Sequence, residues 1–372
     1  MGESSPFDSA KSQPPAPSPQ PPSYDALLIV SFGGPEGPDD VMPFLENVLR
    51  GRNVPRERML AVAEHYYHFG GRSPINEQNR QLIAAIEREL AEHGPALPVY
   101  WGNRNWYPLL ADTLRQMADD GVRRALTFVT SAFSSYSGCR QYREDIARAQ
   151  QAVSAEGVSP PAVDKLRVFF NHPGFIEPMI ERTQAAFAQI PAERRDRVVL
   201  IFTAHSIPQA MADGCRYEAH FREASRLVAE GVGRADWHVD YQSRSGSPQQ
   251  PWLEPDIGDF LLMGLGAGVW GLGRNKDVVI VPIGFISDHM EVVYDLDTEV
   301  GQLCDELGIN MIRAATVVTH PRFVRMIREL IIERMTDSPQ RLALGTLGAS
   351  HDVCPQDCCL YAPQRPISDA GN

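Results

Sequence analysis

Three carboxylates, Glu291, Asp295 and Glu299, follow one another at intervals of four residues. They come just after the apolar run Asp277 to Pro282, which reads as a buried strand. On a helix this spacing sets all three on one face. Like charges so placed repel, so the face is either solvated or built around a cation, a proton or bound water. Asp288 precedes Glu291 by three residues, the spacing of a capping box, and acids are favoured near a helix N-terminus. Taken alone, the stretch is most simply a capped, solvated helix start. A second candidate changes the weighing. His205, in Thr203 to Pro208, directly follows another apolar run, so its backbone is held while its ring can reach a cleft. An imidazole and a carboxylate at neighbouring strand ends can bind Fe²⁺ or Zn²⁺ transiently and move protons near neutral pH. A lone histidine after a strand is otherwise more often structural.

The elements that would position these groups alternate. Apolar runs at Asp25 to Ser31, Pro98 to Gly102, Arg124 to Thr130, Lys165 to Phe170, Arg197 to Thr203, His238 to Gln242, Asp277 to Pro282 and Ile309 to Ala314 read as strands separated by helical patterns. Such alternation predicts an α/β fold with parallel sheets covered on both faces. Ala26 to Pro35 echoes Val198 to Pro208, and each is followed by helix, strand, helix and strand. The expectation is two similar α/β halves, 24–165 and 166–320, with a cleft between them. A helix over 321–340 packs back, and a cysteine-containing tail covers 341–372. In open α/β sheets ligands bind beyond the carboxyl ends of the strands. That rule gathers Phe32 to Pro35, Asn103 to Asn105, Ser134 to Tyr142, His205, Ser243-Arg244 and Asp288 to Glu291 at one cleft.

Length and composition narrow the function classes. With 372 residues, 43% of them apolar, the chain can build two real cores; the net charge of −12 argues against nucleic acid as the main partner. Residues 1–23 hold seven prolines among small polar residues and read as a disordered tail. The apolar stretch Phe260 to Gly273 carries five glycines and falls short of the roughly 20 residues of a membrane helix; it reads as a packed helix. No membrane anchor and no secretion signal are apparent, so the cytoplasm is the default expectation. No P-loop or glycine fingerprint calls for a nucleotide. Cys354, Cys358 and Cys359 crowd the C-terminus, which in a reducing compartment suggests metal ligands more than disulfides.

Thr203 to Pro208, Tyr241-Gln242-Ser243 with Pro251-Trp252-Leu253, and Pro282 to Glu291 resemble the three signature blocks of ferrochelatases. The resemblance runs from about Tyr24 to Glu333 and takes in Leu28 to Pro35 and Gly70 to Ile75. It implies two Rossmann-like halves of the chelatase fold and insertion of Fe²⁺, as substrate, into a porphyrin held in the cleft between them, without ATP. It implies that His205 contacts metal and accepts protons, that Glu291 is its partner, and that Asp295 and Glu299 form an acidic path. Ser73 and Tyr142 match porphyrin-contacting positions. Phe32 stands where some relatives have a tyrosine; a phenyl ring can pack on the macrocycle but cannot ligate. Phe32 and Trp252 are candidate apolar walls, and Arg50, Arg52, Arg72 and Arg104 are candidates for propionate recognition. Cys139 with Cys354, Cys358 and Cys359 resembles the [2Fe–2S] site of some ferrochelatases, although the adjacent Cys358-Cys359 pair departs from the more spaced pattern of animal relatives. Without an anchor or a long apolar lip around residues 50–70, the chain looks like the soluble bacterial enzymes that metallate coproporphyrin III. Protoporphyrin IX, a non-catalytic haem or metal carrier, and a cobalt chelatase are the alternatives. A monomer is expected.

Overall fold

The computed structural model describes residues 23–51, 54–246, 249–266, 276–337 and 339–361. All but the last residue of the proline-rich segment 1–23 lies outside them. Among the described residues eight strands form two four-stranded, wholly parallel sheets. The first contains β1 (Ala26–Ser31), β2 (Val99–Asn103), β3 (Arg124–Val129) and β4 (Ala162–Lys165) in the order β2-β1-β3-β4. The second contains β5 (Val199–His205), β6 (His238–Gln242), β7 (Lys276–Val281) and β8 (Ile309–Arg313) in the order β6-β5-β7-β8. The two orders are the same once chain position is allowed for, so the echo between Ala26 to Pro35 and Val198 to Pro208 marks equivalent central strands.

Strand alternation explains the layering. Leu27 and Ile29 of β1, with Leu200, Phe202 and Ala204 of β5, face a shared central core. Ala26, Leu28 and Val30 face an outer core of the first half, and Ile201, Val278 and Ile280 face that of the second. Both faces of each central strand are therefore covered, as its continuous apolar sequence requires. The Pro321–Met335 helix contributes Phe323, Ile327 and Ile331 to the central core. It reaches the first half through Arg328, whose Nε donates to Glu89 Oε1 at 2.8 Å.

Two expectations shift. Lys165 to Phe170 does not open the second sheet: the strand is Ala162–Lys165, it pairs with β3, and 166–170 leave the sheet as buried irregular chain. Phe169 stacks on Phe128 at 5.3 Å and Phe170 on His220 at 3.8 Å. A short apolar run reports burial, and burial here comes from ring packing rather than a ladder. The glycine-containing segment begins as the Ile257–Phe260 helix and widens into a π-turn over Leu261–Gly266; 267–275 lie outside the described residues.

Candidate active site and cysteine cluster

His205 is the last residue of β5, pinned between β6 and β7. Tyr217 Oη donates to its carbonyl at 2.9 Å, which fixes the backbone and aims the ring. The ring bridges two acceptors: Nδ1 meets the Ser206 carbonyl, and Nε2 lies 3.2 Å from Glu291 Oε1. The side chains keep 29% and 46% of their exposure, so both remain reachable from solvent. Burial opposes a charge on His205, yet the Glu291 carboxylate and the Ser206 carbonyl outweigh it and push its pKa up to about 9. Burial acts to raise Glu291, and the facing His205 and His289 bring it down to about 2.

Glu291 opens a helical run from Met290 to Leu307 that is α-helical at both ends and a π-helix over Val293–Val300. The cap differs from expectation. His289 is the N-cap, its Nδ1 accepting from the Glu291 N–H at 3.2 Å, and burial lowers its pKa, which suits a neutral acceptor. Asp288 instead pairs with Arg313 at 2.9 Å, a cation that only the fold brings to it. Gln78 of the first half grips the Asp288 backbone on both sides, at 2.8 and 3.1 Å. The next strand end supplies two more contacts: Gln242 donates to the Glu291 carbonyl, and Ser243 Oγ donates to Asp295. Ser243 adopts left-handed backbone, φ 64°, an uncommon state for a residue with a side chain. Burial pushes Asp295 up to about 7, with Glu291 adding to the rise; burial and Asp256 raise Glu299, which is exposed.

The first half presents an aromatic wall. Phe32, 36% exposed, meets Phe44 edge-on at 6.2 Å. The Arg104 guanidinium lies 4.5 Å from the Tyr142 ring centroid and 5.8 Å from that of Phe32, and it is ion-paired with Asp145. Arg104 thus braces the wall with its charge already matched. Tyr142 is buried, as is Ser73, which packs so closely under Gly34 that a Cβ there would come within 2.7 Å. Trp252 is half-buried, and its indole lies against Gly246 where a side chain would not fit. Arg50 is exposed, Arg72 Nε donates to the Glu36 carbonyl at 3.0 Å, and Arg52 lies outside the described residues.

One partner of the site was not singled out from sequence. The Arg56–His68 helix of the first half reaches the acidic helix: His65 stacks on Tyr294 with centroids 3.8 Å apart and planes 12° from parallel. Burial raises the Tyr66 pKa, and the charges of Glu291 and Asp295 raise it further, placing that phenol in the same field. Only Ala63 of this helix is fully buried; Leu60, Val62 and Tyr67 are exposed among charged residues. The 50–70 region is thus covered by one 13-residue helix without a long apolar face. The helix is legible as the helical pattern from Arg56 to Phe69; its docking against Tyr294 is not.

A ferrochelatase family model matches residues 24–335, nearly all of the two sheets and their helices. The chain belongs to the ferrochelatase family. It is accordingly an enzyme that inserts metal into a porphyrin. It is 59% identical over 345 residues to the ferrochelatase of Rhodopirellula baltica, covering 93% of this chain and 96% of that one. It is 52% identical over 364 residues to the coproporphyrin III ferrochelatase of Streptomyces coelicolor, covering 93% and 96%. Among solved structures, SirB from Bacillus subtilis with Fe³⁺ superposes with a TM-score of 0.50 at 12% identity, covering 86% of this chain and 99% of that one, which speaks for the fold alone. No helix among the described residues is long and apolar enough to cross a membrane.

Among the four expected cysteines two pairs meet. Cys139, buried in the Tyr136–Arg140 turn, interacts directly with Cys354, and Cys358 Sγ lies 3.6 Å from Cys359 Sγ. Arg140 fastens the tail to that turn, donating to the carbonyls of Gln356 at 2.6 Å and Cys358 at 3.0 Å. Contact with Cys139 and the positive charges of Lys165 and Arg143 draw the Cys354 thiol down to about 7, towards the thiolate that metals require. His351 was missed: its Nε2 is 3.7 Å from Cys358 Sγ, and the ligand atoms of His351, Cys354 and Cys358 all lie within 4.8 Å of one another. The spacing His351, Cys354, Cys358 was its sequence signal. His351, Cys354 and Cys358 could thus hold a metal ion, while contact with Cys354 and burial push the Cys139 thiol up and burial pushes Cys359 up.

Proposed function

We propose that this enzyme inserts Fe²⁺ into coproporphyrin III, with His205 as proton acceptor and metal contact and Glu291 as its partner carboxylate. The observation that carries this reading is the 3.2 Å approach of His205 Nε2 to Glu291 Oε1 at the carboxyl ends of the second sheet. Metallation exchanges two pyrrole protons for one Fe²⁺ and needs a bent macrocycle, a base and a weak metal donor. Phe32 and Trp252 supply flat apolar surface for the ring, with Tyr142 buried behind Arg104. His205, charged at neutral pH, must first give up the proton it carries; its neutral ring then takes each pyrrole proton and Glu291 holds the imidazolium, while Asp295 and Glu299 lead the metal inward and help strip its water. Half-protonated near neutrality, Asp295 can give and take charge without a large penalty. The coproporphyrin assignment is supported by relatives of that name at about half identity, such as that of Streptomyces coelicolor at 52%. Anaerobic assays with Fe²⁺ and either coproporphyrin III or protoporphyrin IX test it. Higher kcat/KM with coproporphyrin III is expected; a preference for protoporphyrin IX would refute the substrate, and stoichiometric product would refute turnover.

Cys139, Cys354, Cys358 and Cys359 would hold a [2Fe–2S] cluster, with His351 at its edge. Such a group supplies a redox-active cross-link between the two segments. Their packing extends towards the active site, because the Gly214 region meets the Leu360 carbonyl and leads on to Tyr217, the residue that holds His205.

A further inference from the structure

The face of β6 that looks away from the central core is unusual. Val239 and Tyr241 point into that core, while His238, Asp240 and Gln242 share the opposite face, towards the Asp256–Gly266 segment and the acidic helix. Asp240 and Gln242 are each 1% exposed. Both carry an orphaned acceptor: Asp240 Oδ2 and Gln242 Oε1 have no hydrogen-bond partner among the described residues. Buried acceptors without protein partners are normally met by internal water. Gln242 begins the face at the active site, where its amide donates to the Glu291 carbonyl. Its Cα is about 7 Å from that of Asp240, a span one or two waters bridge. Asp240 ends it at a cavity of about 330 Å³ lined also by Arg222, Trp237, His238, Pro255 and Phe260. Asp256 stands beside this line, bridged to Tyr241 and accepting from the Gly258 N–H at 2.8 Å.

We propose that the Gln242–Asp240 face of β6 holds a buried file of water that carries protons from the active site to a second mouth at the Asp240 cavity. The inference rests on the metallation chemistry above and deepens it, since each Fe²⁺ entering must be balanced by two protons leaving. The two routes differ in charge. Glu291 is ionised and Glu299 is exposed, so their ladder attracts a hydrated dication. Asp240 is surrounded otherwise: burial and then Asp256 push it up to about 8, and Arg222 and His238 line the same cavity. It is protonated at neutral pH, and a neutral, water-bridged acid passes protons without drawing in Fe²⁺. Traffic of like sign is thereby divided.

Asp240→Asn keeps the shape and hydrogen-bonding capacity but cannot release a proton. With Fe²⁺ and coproporphyrin III, kcat should fall about ten-fold with an enlarged solvent deuterium isotope effect, while both KM values stay unchanged. Small diffusible buffers such as imidazole should restore part of the rate. Asp256→Asn, which retains the helix cap because asparagine caps as well as aspartate, should act in the same direction and decides the matter should Asp240→Asn not fold. Glu299→Gln should instead raise the KM for Fe²⁺. Wild-type kcat and isotope effect in folded Asp240→Asn, or in Asp256→Asn should Asp240→Asn not fold, overturn the inference, as does a raised KM for Fe²⁺ in Asp240→Asn, which would put the residue on the metal route. Absence of turnover in the wild type refutes the metallation reading itself.

Discussion

Replacing Glu291 with glutamine removes the charge that sets the state of His205 and leaves the shape almost intact. The rise of His205 from 6.5 to about 9 corresponds to about 3 kcal/mol at about 1.4 kcal/mol per unit. Because 46% of the Glu291 side chain is exposed, solvent screening reduces the net stabilisation to about 1 to 2 kcal/mol. Once the carboxylate is gone, burial dominates and the His205 pKa should drop towards or below 6.5. The sign follows directly. A raised histidine pKa contributes stability that is fully present below 6.5 and is lost as pH rises through about 9; the lowered Glu291 pKa contributes above 4.5 and is lost as pH falls through about 2. Wild type and variant should therefore differ most in thermal stability between those limits, near pH 6, and converge by about pH 9.5. Catalysis reports the same group differently. Fe²⁺ must displace the His205 proton, so wild-type kcat/KM for Fe²⁺ should climb with pH until about 9. In Glu291→Gln the inflection should move down by about two units, while kcat falls about a hundred-fold for want of the partner that holds the imidazolium. An unmoved inflection, or a stability gap equal at both pH values, would refute the electrostatic coupling.

Three further outcomes are expected. His205→Ala should abolish metallation while porphyrin binding, followed by fluorescence quenching, stays within a few-fold of wild type; retained turnover would remove His205 from the chemistry. Cys354→Ser should remove the visible iron–sulfur absorption of anaerobically purified protein, and an unchanged spectrum would exclude that thiol as a ligand. Arg167→Met should cost about 3 kcal/mol in denaturant titrations, because it removes the nearer partner from a pair whose side chains are only 1% and 5% exposed and leaves Glu333 with Arg341 at 3.8 Å; a loss under 1 kcal/mol would mean that Arg341 or solvent takes over the pairing.

The parts legible in the sequence are those fixed by short-range periodicity. Seven of the eight strands fall within two residues of where apolar runs put them, and the repeated half was visible in Ala26 to Pro35 and Val198 to Pro208. What sequence hid is set by partners remote in the chain. Asp288 had the spacing of a cap, yet Arg313 lies 25 residues away in sequence and claims it, leaving His289 to cap. His65 and Tyr66 sat in an unremarkable amphipathic segment, and only docking against Tyr294 gives them a neighbour at the site. The 166–170 run was apolar for rings it meets across the core, Phe128 and His220.

The acidic ladder combines both kinds of information. In an α-helix a step of four residues overshoots a full turn by about 40°, so Glu291 and Glu299 would drift about 80° apart. The π-helix over Val293–Val300 bonds i to i+5 and turns less per residue, which reduces that drift and keeps the three carboxylates closer to one line. Such widening weakens the helix and persists only where packing holds it. Here Val292, Leu296 and Val300 are buried in the outer core of the second half, Ser243 binds Asp295, and His65 stacks on Tyr294. The four-residue spacing was readable as a face; its straightness is a product of the wide turn. Two halves therefore cooperate on one helix: the second supplies the acids and the core that anchors them, and the first closes over it through the Arg56–His68 helix.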